Sequence, residues 1–241
     1  MQSYIALSRT HSYSLLFALP LLVLYELGAA SMEVGPDPAV RNGADVLLRM
    51  MLAAGGLHGT AAFTSVLLVG SLVLIILERR RRPVPLRLGV LFGMLLESSV
   101  YALLFGLVIS TATYWVLNPP LPLLLIAPAL GVREQVVLSL GAGIYEELVF
   151  RVLLAGGLFV VLRAAGASRR LAGISAALIS AVIFSAFHYI GVYGDPWALE
   201  SFTFRFLAGL AFSALFLLRG FGVAAWTHAL YDVFLTLAQA A

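Results

Sequence analysis

The sequence predicts an all-α protein: a polytopic bundle of about seven transmembrane helices, forming one membrane domain over residues 1–241. Composition is the first reason. Hydrophobic residues make up 61% of the chain, charged ones 11%, and the mean hydropathy is +1.01; a soluble domain is about half apolar and about a quarter charged. The second reason is grouping, because the apolar residues fall in runs of the length that crosses a bilayer, about 20 residues as a helix. In lipid at this hydropathy, only helices satisfy their own backbone groups.

The first such run is 13–31. No small-residue cleavage site follows it, so it is expected to be a retained span rather than a signal peptide. Segment 44–57 is short and contains Arg49, and is expected to lie at the interface as a helix, with an eighth span as the alternative. Runs 60–78 and 88–117 are the second and third spans. Segment 118–131 carries Pro119, Pro120, Pro122 and Pro128; it cannot be one regular helix and is expected at the surface. Runs 136–162, 171–190, 203–218 and 220–240 complete the set, and no internal repeat or linker divides the chain.

All fifteen basic residues are arginine, and their placement suggests an orientation. With the N-terminus inside, the inner loops hold Arg9, Arg79, Arg80, Arg81, Arg82, Arg87, Arg163, Arg169, Arg170 and Arg219. The outer loops then hold Arg41, Arg49, Arg133 and Arg205, a bias that favours N-in and C-out. Cysteine is missing, which removes disulfides, thiolate metal sites and cysteine nucleophiles together.

Ionisable groups inside spans cost roughly 2.5–3.5 kcal/mol each even on lenient insertion scales. The last four runs nevertheless contain Glu146, Glu147, Arg151, His188, His228 and Asp232. Such groups must be paired, hydrated or functional. Glu147 precedes Arg151 by four residues, the favourable order for an intrahelical pair. Glu146 lies about 100° further round the helix, a poor position for Arg151. Spacing therefore makes Glu147 and Arg151 structural and Glu146 the free carboxylate; the plain alternative is that both acids pair with Arg151. His188 ends an apolar run above a stripe of small residues, Gly173, Ala177, Ala181 and Ser185. That stripe lets another helix approach closely and bring a carboxylate to the imidazole, although a lone histidine there could equally be solvated or capped. His228 and Asp232 share a face of the last span, where the aspartate can accept from an imidazole N–H and fix its tautomer, or the two can form a self-satisfied pair. Glu26 and Glu97, in earlier spans, are expected to tie helices together outside the chemistry.

Three groupings thus stand in order, each in a separate apolar run: Glu146-Glu147-Leu148-Val149-Phe150-Arg151, Phe184-Ser185-Ala186-Phe187-His188 and His228-Ala229-Leu230-Tyr231-Asp232. They resemble the Glu-Glu-x-x-x-Arg, Phe-x-x-x-His and His-x-x-x-Asn/Asp motifs of the CAAX-protease and bacteriocin-processing family of membrane peptidases, which includes the Ras-converting enzyme and bacterial abortive-infection proteins. The resemblance covers about residues 136–240, which would be the catalytic core, while 1–135 carry none of the motifs. It implies a membrane-embedded endopeptidase of the glutamate type. Glu146 and His188 would activate water, His228 and Asp232 would stabilise the oxyanion, and Glu147 and Arg151 would support them. An ionised Asp232 has no proton to donate, so it is expected either to be protonated or to orient His228.

No cofactor is expected. The runner-up is a catalytic divalent metal on the same carboxylates and histidines. Zinc peptidases place two histidines four apart on one helix with a glutamate adjacent, whereas His188 and His228 lie on different spans. A non-catalytic reading, a transporter or an immunity scaffold, is the other alternative, yet the paired repeats and interrupted helices of a transporter are not visible. The partners expected are the lipid bilayer and a peptide or protein substrate, membrane-anchored ones included, with no nucleic acid. The expected location is the bacterial cytoplasmic membrane.

Overall fold

The computed structural model describes residues 3–32, 40–118, 130–191 and 194–240, and among them every regular element is helical. The proline-rich stretch expected at the surface lies, over 119–129, outside the described residues. Helix α1 (Tyr4–Ser8) is a single short turn at the N-terminus. Helix α2 (His11–Ala30) starts where the Thr10 hydroxyl accepts from the Tyr13 N–H at 3.3 Å. Helix α3 (Gly43–Ala54) starts at Asn42, whose side-chain oxygen accepts from the Ala44 N–H at 2.8 Å. Each cap satisfies a donor that the first helical turn leaves without a partner. Helices α4 (Thr60–Arg81) and α5 (Leu88–Leu117) follow.

Next come α6 (Val132–Gly141), a π-helical stretch (Ala142–Ala155) and α7 (Gly156–Ala164), which run on as one continuous helix. Helices α8 (Arg169–Phe187), α9 (Leu199–Arg219) and α10 (Phe221–Ala240) end the chain. Six of these helices, α2, α4, α5, α8, α9 and α10, are each long and apolar enough to cross a membrane. The continuous stretch 132–164 is also longer than the roughly 30 Å hydrocarbon core, which brings the spans among the described residues to about seven. At 12 residues α3 is too short to be an eighth. The chain is a multi-pass membrane protein, and its outer faces are apolar: on α5, Leu103, Leu107 and Trp115 are 67%, 68% and 79% exposed.

Three boundaries differ from the sequence reading. Helix α4 continues to Arg81, so Arg79, Arg80 and Arg81 form its last turn, where the helix dipole favours cations. Helix α9 begins at Leu199, so Arg205, expected in a loop, lies within a helix. Helix α8 ends at Phe187, which makes His188 its cap.

Two close approaches bring the C-terminal helices together. A Cβ on Gly143 would stand 2.4 Å from the Ala225 carbonyl oxygen, so only glycine lets the π stretch touch the backbone of α10. A Cβ on Gly209 would lie 3.1 Å from Ala181, which draws α9 against α8. The buried stripe of α8 is Ala172, Ala176, Ser180 and Phe184, one residue ahead of the expected one. Ala181 and Ser185 are buried as expected, but Gly173 and Ala177 are only half-buried. Ser180 donates from its hydroxyl to the Phe150 carbonyl at 2.6 Å and so ties α8 to the π stretch.

Glu26 and Glu97 are both ion-paired. Glu97 accepts from Arg219 Nη2 at 2.7 Å and from the Tyr4 and Tyr101 hydroxyls at 2.6 and 2.9 Å. Glu26 accepts from Arg49 Nη2 at 2.8 Å and from the Tyr145 hydroxyl at 2.6 Å.

Candidate active site

The π stretch carries Glu146, Glu147 and Arg151, all buried, at the contact with α10. A π-helix hydrogen-bonds five residues along instead of four and recurs at functional sites. Even with this wider turn, Glu147 Oε2 and Arg151 Nε stand 3.2 Å apart. The guanidinium lies over the Phe184 ring at 4.4 Å and the Phe212 ring at 5.4 Å. These rings offer it the attraction of their π faces where lipid would offer nothing. The other Glu147 oxygen, Oε1, accepts from His228 Nδ1 at 2.8 Å. Glu147 thus has one oxygen on the arginine and one on the histidine.

That second bond corrects the sequence reading of two residues. Glu147 is more than a partner for Arg151, because it is the group that holds Nδ1 of His228. Asp232 was the expected holder of the tautomer, but its Oδ2 stands 3.5 Å from Nε2, on the opposite side of the ring. The imidazole of His228 lies flat on Phe212, with ring centres 4.3 Å apart and planes 21° from parallel.

Glu146 is held differently. Its Oε1 accepts from Asn42 Nδ2 at 2.9 Å. Its Oε2 is buried with no hydrogen-bond partner among the described residues, 3.8 Å from His188 Nε2 and 4.0 Å from His228 Nε2. The first motif's two acids therefore divide as the spacing predicts, with Arg151 paired to Glu147. His188 Nδ1 is 2.8 Å from the Phe184 carbonyl oxygen. A carbonyl only accepts, so Nδ1 carries the proton, and in the neutral ring Nε2 presents a lone pair toward Glu146.

Glu146, His188, His228 and Asp232 line one cavity of about 240 Å³, together with Arg205, Ser201 and Tyr231 and an apolar remainder that includes Phe184 and Phe212. Among the described residues no group of three or more His, Asp or Glu side chains has the arrangement of a metal site. The four residues named from the three motifs come together from three separate helical segments.

Asn42 is the residue that sequence reasoning missed. It immediately precedes α3, 104 positions before Glu146, and no periodicity connects the two. The one local signal was an asparagine at a helix start, which reads as a cap and does serve as one. Around it lies a polar cluster that joins α2 to the start of α3. The Tyr25 hydroxyl accepts from the Asn42 N–H at 3.1 Å and donates to Asp45 Oδ2 at 2.8 Å. Asp45 in turn pairs with Arg41 at 3.0 Å. Burial alone would lower the Arg41 guanidinium, but its bond and attraction to Asp45 carry it above its ordinary value.

Residues 128–234 match the family model described as type II CAAX prenyl endopeptidase, Rce1-like. The matched stretch contains all three motifs and shows the resemblance read from them. Asn42 lies outside it. No curated protein and no solved structure matches the chain.

Proposed function

We propose that this multi-pass membrane protein, with an Rce1-like endopeptidase domain over residues 128–234, is an intramembrane endopeptidase of the glutamate type. One observation carries the mechanism. Glu146 Oε2 and His188 Nε2 are both acceptors, they face each other at 3.8 Å, and Nδ1 of His188 already holds that ring's proton. Two acceptors at this distance are too far apart to bond directly and are suited to a shared donor with two protons. Water is that donor. Glu146 would take a proton from it as the oxygen attacks the scissile carbonyl carbon, with His188 orienting the second O–H. The carbonyl oxygen becomes an oxyanion. Collapse of the tetrahedral intermediate breaks the C–N bond, and the proton held by Glu146 passes to the leaving amine.

The oxyanion needs donors where its charge develops. With the Nδ1–H of His228 committed to Glu147, Nε2 donates into the cavity when the ring carries both protons, so His228 acts as an imidazolium held by that carboxylate. The Asp232 carboxyl beside that nitrogen acts with its proton on, because an anion there would repel the oxyanion and compete for the same N–H. No metal enters this scheme: the water is activated by protein groups alone. The N-in orientation suggested by the arginines and a bacterial cytoplasmic membrane complete the reading. The match to an endopeptidase family supports it over a transporter or scaffold. The family's description makes prenylated C-terminal peptides the first substrates to try.

The test is a comparison of peptides released from membranes carrying wild type and Glu146→Ala. A peptide whose cleavage depends on Glu146 supports the reading, and identical peptide sets count against it.

A further inference from the structure

We propose that Asn42 is a positioning residue for this reaction: its side-chain amide selects which oxygen of Glu146 acts as the base. The inference rests on the function proposed above. Asn42 Oδ1 accepts from the Ala44 backbone N–H, a group that can only donate, so the other amide atom is the NH₂. That NH₂ points at Glu146 Oε1 at 2.9 Å. With Oε1 occupied, rotation of the carboxylate is blocked and Oε2 is left facing His188 and His228. The donor is also uncharged, so it fixes the carboxylate without neutralising the charge a base needs.

Asn42 is itself fixed from three sides. Its N–H donates to the Tyr25 hydroxyl at 3.1 Å, its Oδ1 caps α3, and a Cβ on Gly141 would approach its own Cβ to 2.8 Å. It is 8% exposed. The capped start of α3 is therefore a working part of the site, although it lies outside the family match.

Two substitutions separate this role from helix capping. Asn42→Ser keeps a good cap but is too short to reach Glu146. Asn42→Asp keeps the cap acceptor and turns the donor into an oxygen facing a carboxylate. The full-length variants, in proteoliposomes, are assayed with an internally quenched S-farnesylated peptide ending in Cys-aliphatic-aliphatic-X, beside wild type and Glu146→Gln. We expect kcat to fall about 10- to 100-fold, further for Asp than for Ser, with KM nearly unchanged and the Ser variant melting close to wild type. Wild-type kcat in Asn42→Ser overturns the inference. A loss confined to KM, or one that in both variants accompanies a lowered melting temperature, also overturns it, in favour of a structural role. If wild type cleaves no faster than Glu146→Gln, the endopeptidase reading fails and this inference falls with it.

Discussion

Glu147 is asked to do two things at once, and the two can be separated. It pairs with Arg151 at 3.2 Å and holds His228 Nδ1 at 2.8 Å, with side chains 0%, 1% and 6% exposed respectively. Replacing Glu147 by leucine takes away the paired carboxylate of a buried guanidinium and leaves it aromatic rings and the weaker attraction of Glu146, a loss of about 3–5 kcal/mol. For a chain of this size that corresponds to a melting temperature lower by roughly 6–20 °C. The same substitution frees His228 to turn or to change tautomer, which costs about 10²- to 10⁴-fold in rate where a carboxylate is removed from behind a catalytic histidine. Adding Arg151→Met removes the unpaired charge. Replacing both members of a buried pair by apolar groups is often nearly neutral. The double variant should therefore regain most of the melting temperature while its kcat stays low. Thermal melting in detergent and peptide turnover in proteoliposomes, on the same preparations, read the two quantities. If Glu147→Leu with Arg151→Met recovered activity along with stability, Glu147 would have no part in holding His228.

Asp232→Asn should retain much of the activity, since the amide still donates beside His228 Nε2, whereas Asp232→Ala should lose about 100-fold, the scale of one oxyanion donor. Tolerance of alanine with loss of activity in asparagine would instead require the ionised carboxylate. Dialysis of the purified protein against EDTA should leave turnover unchanged; activity that is abolished and then restored by stoichiometric zinc would overturn the metal-free scheme. Glu97→Gln should lower the melting temperature, because it weakens the hold on Arg219 at the junction of α1, α5 and α9, yet leave kcat of the folded protein at the wild-type value.

The spans were legible because hydropathy and length are local properties: all seven apolar runs became helices, with ends moved by a few residues. The π stretch was not legible, because its apolar and polar residues read equally well as an α-helix, and the contacts it makes with α8 and α10 join residues distant in the sequence. The four motif residues were legible as polar groups in apolar runs, and they share one cavity. What periodicity could not decide was which ring nitrogen each carboxylate meets. The four-residue spacing of His228 and Asp232 puts them on one face, but the bond to Nδ1 comes from Glu147, 81 positions away. Asn42 was out of reach for the same reason, since its partner is chosen by tertiary approach alone.

The central claim is that Glu146 is the base, and its most direct test is the turnover of Glu146→Gln. Glutamine keeps the size of the side chain and can still accept from Asn42 with its oxygen, so the protein should assemble and melt like wild type. What it loses is the ability to take a proton from water. Purified and reconstituted beside wild type, with the same farnesylated peptide, Glu146→Gln should be folded and show no measurable cleavage. Cleavage at the wild-type rate would contradict the account and remove Glu146 from the chemistry.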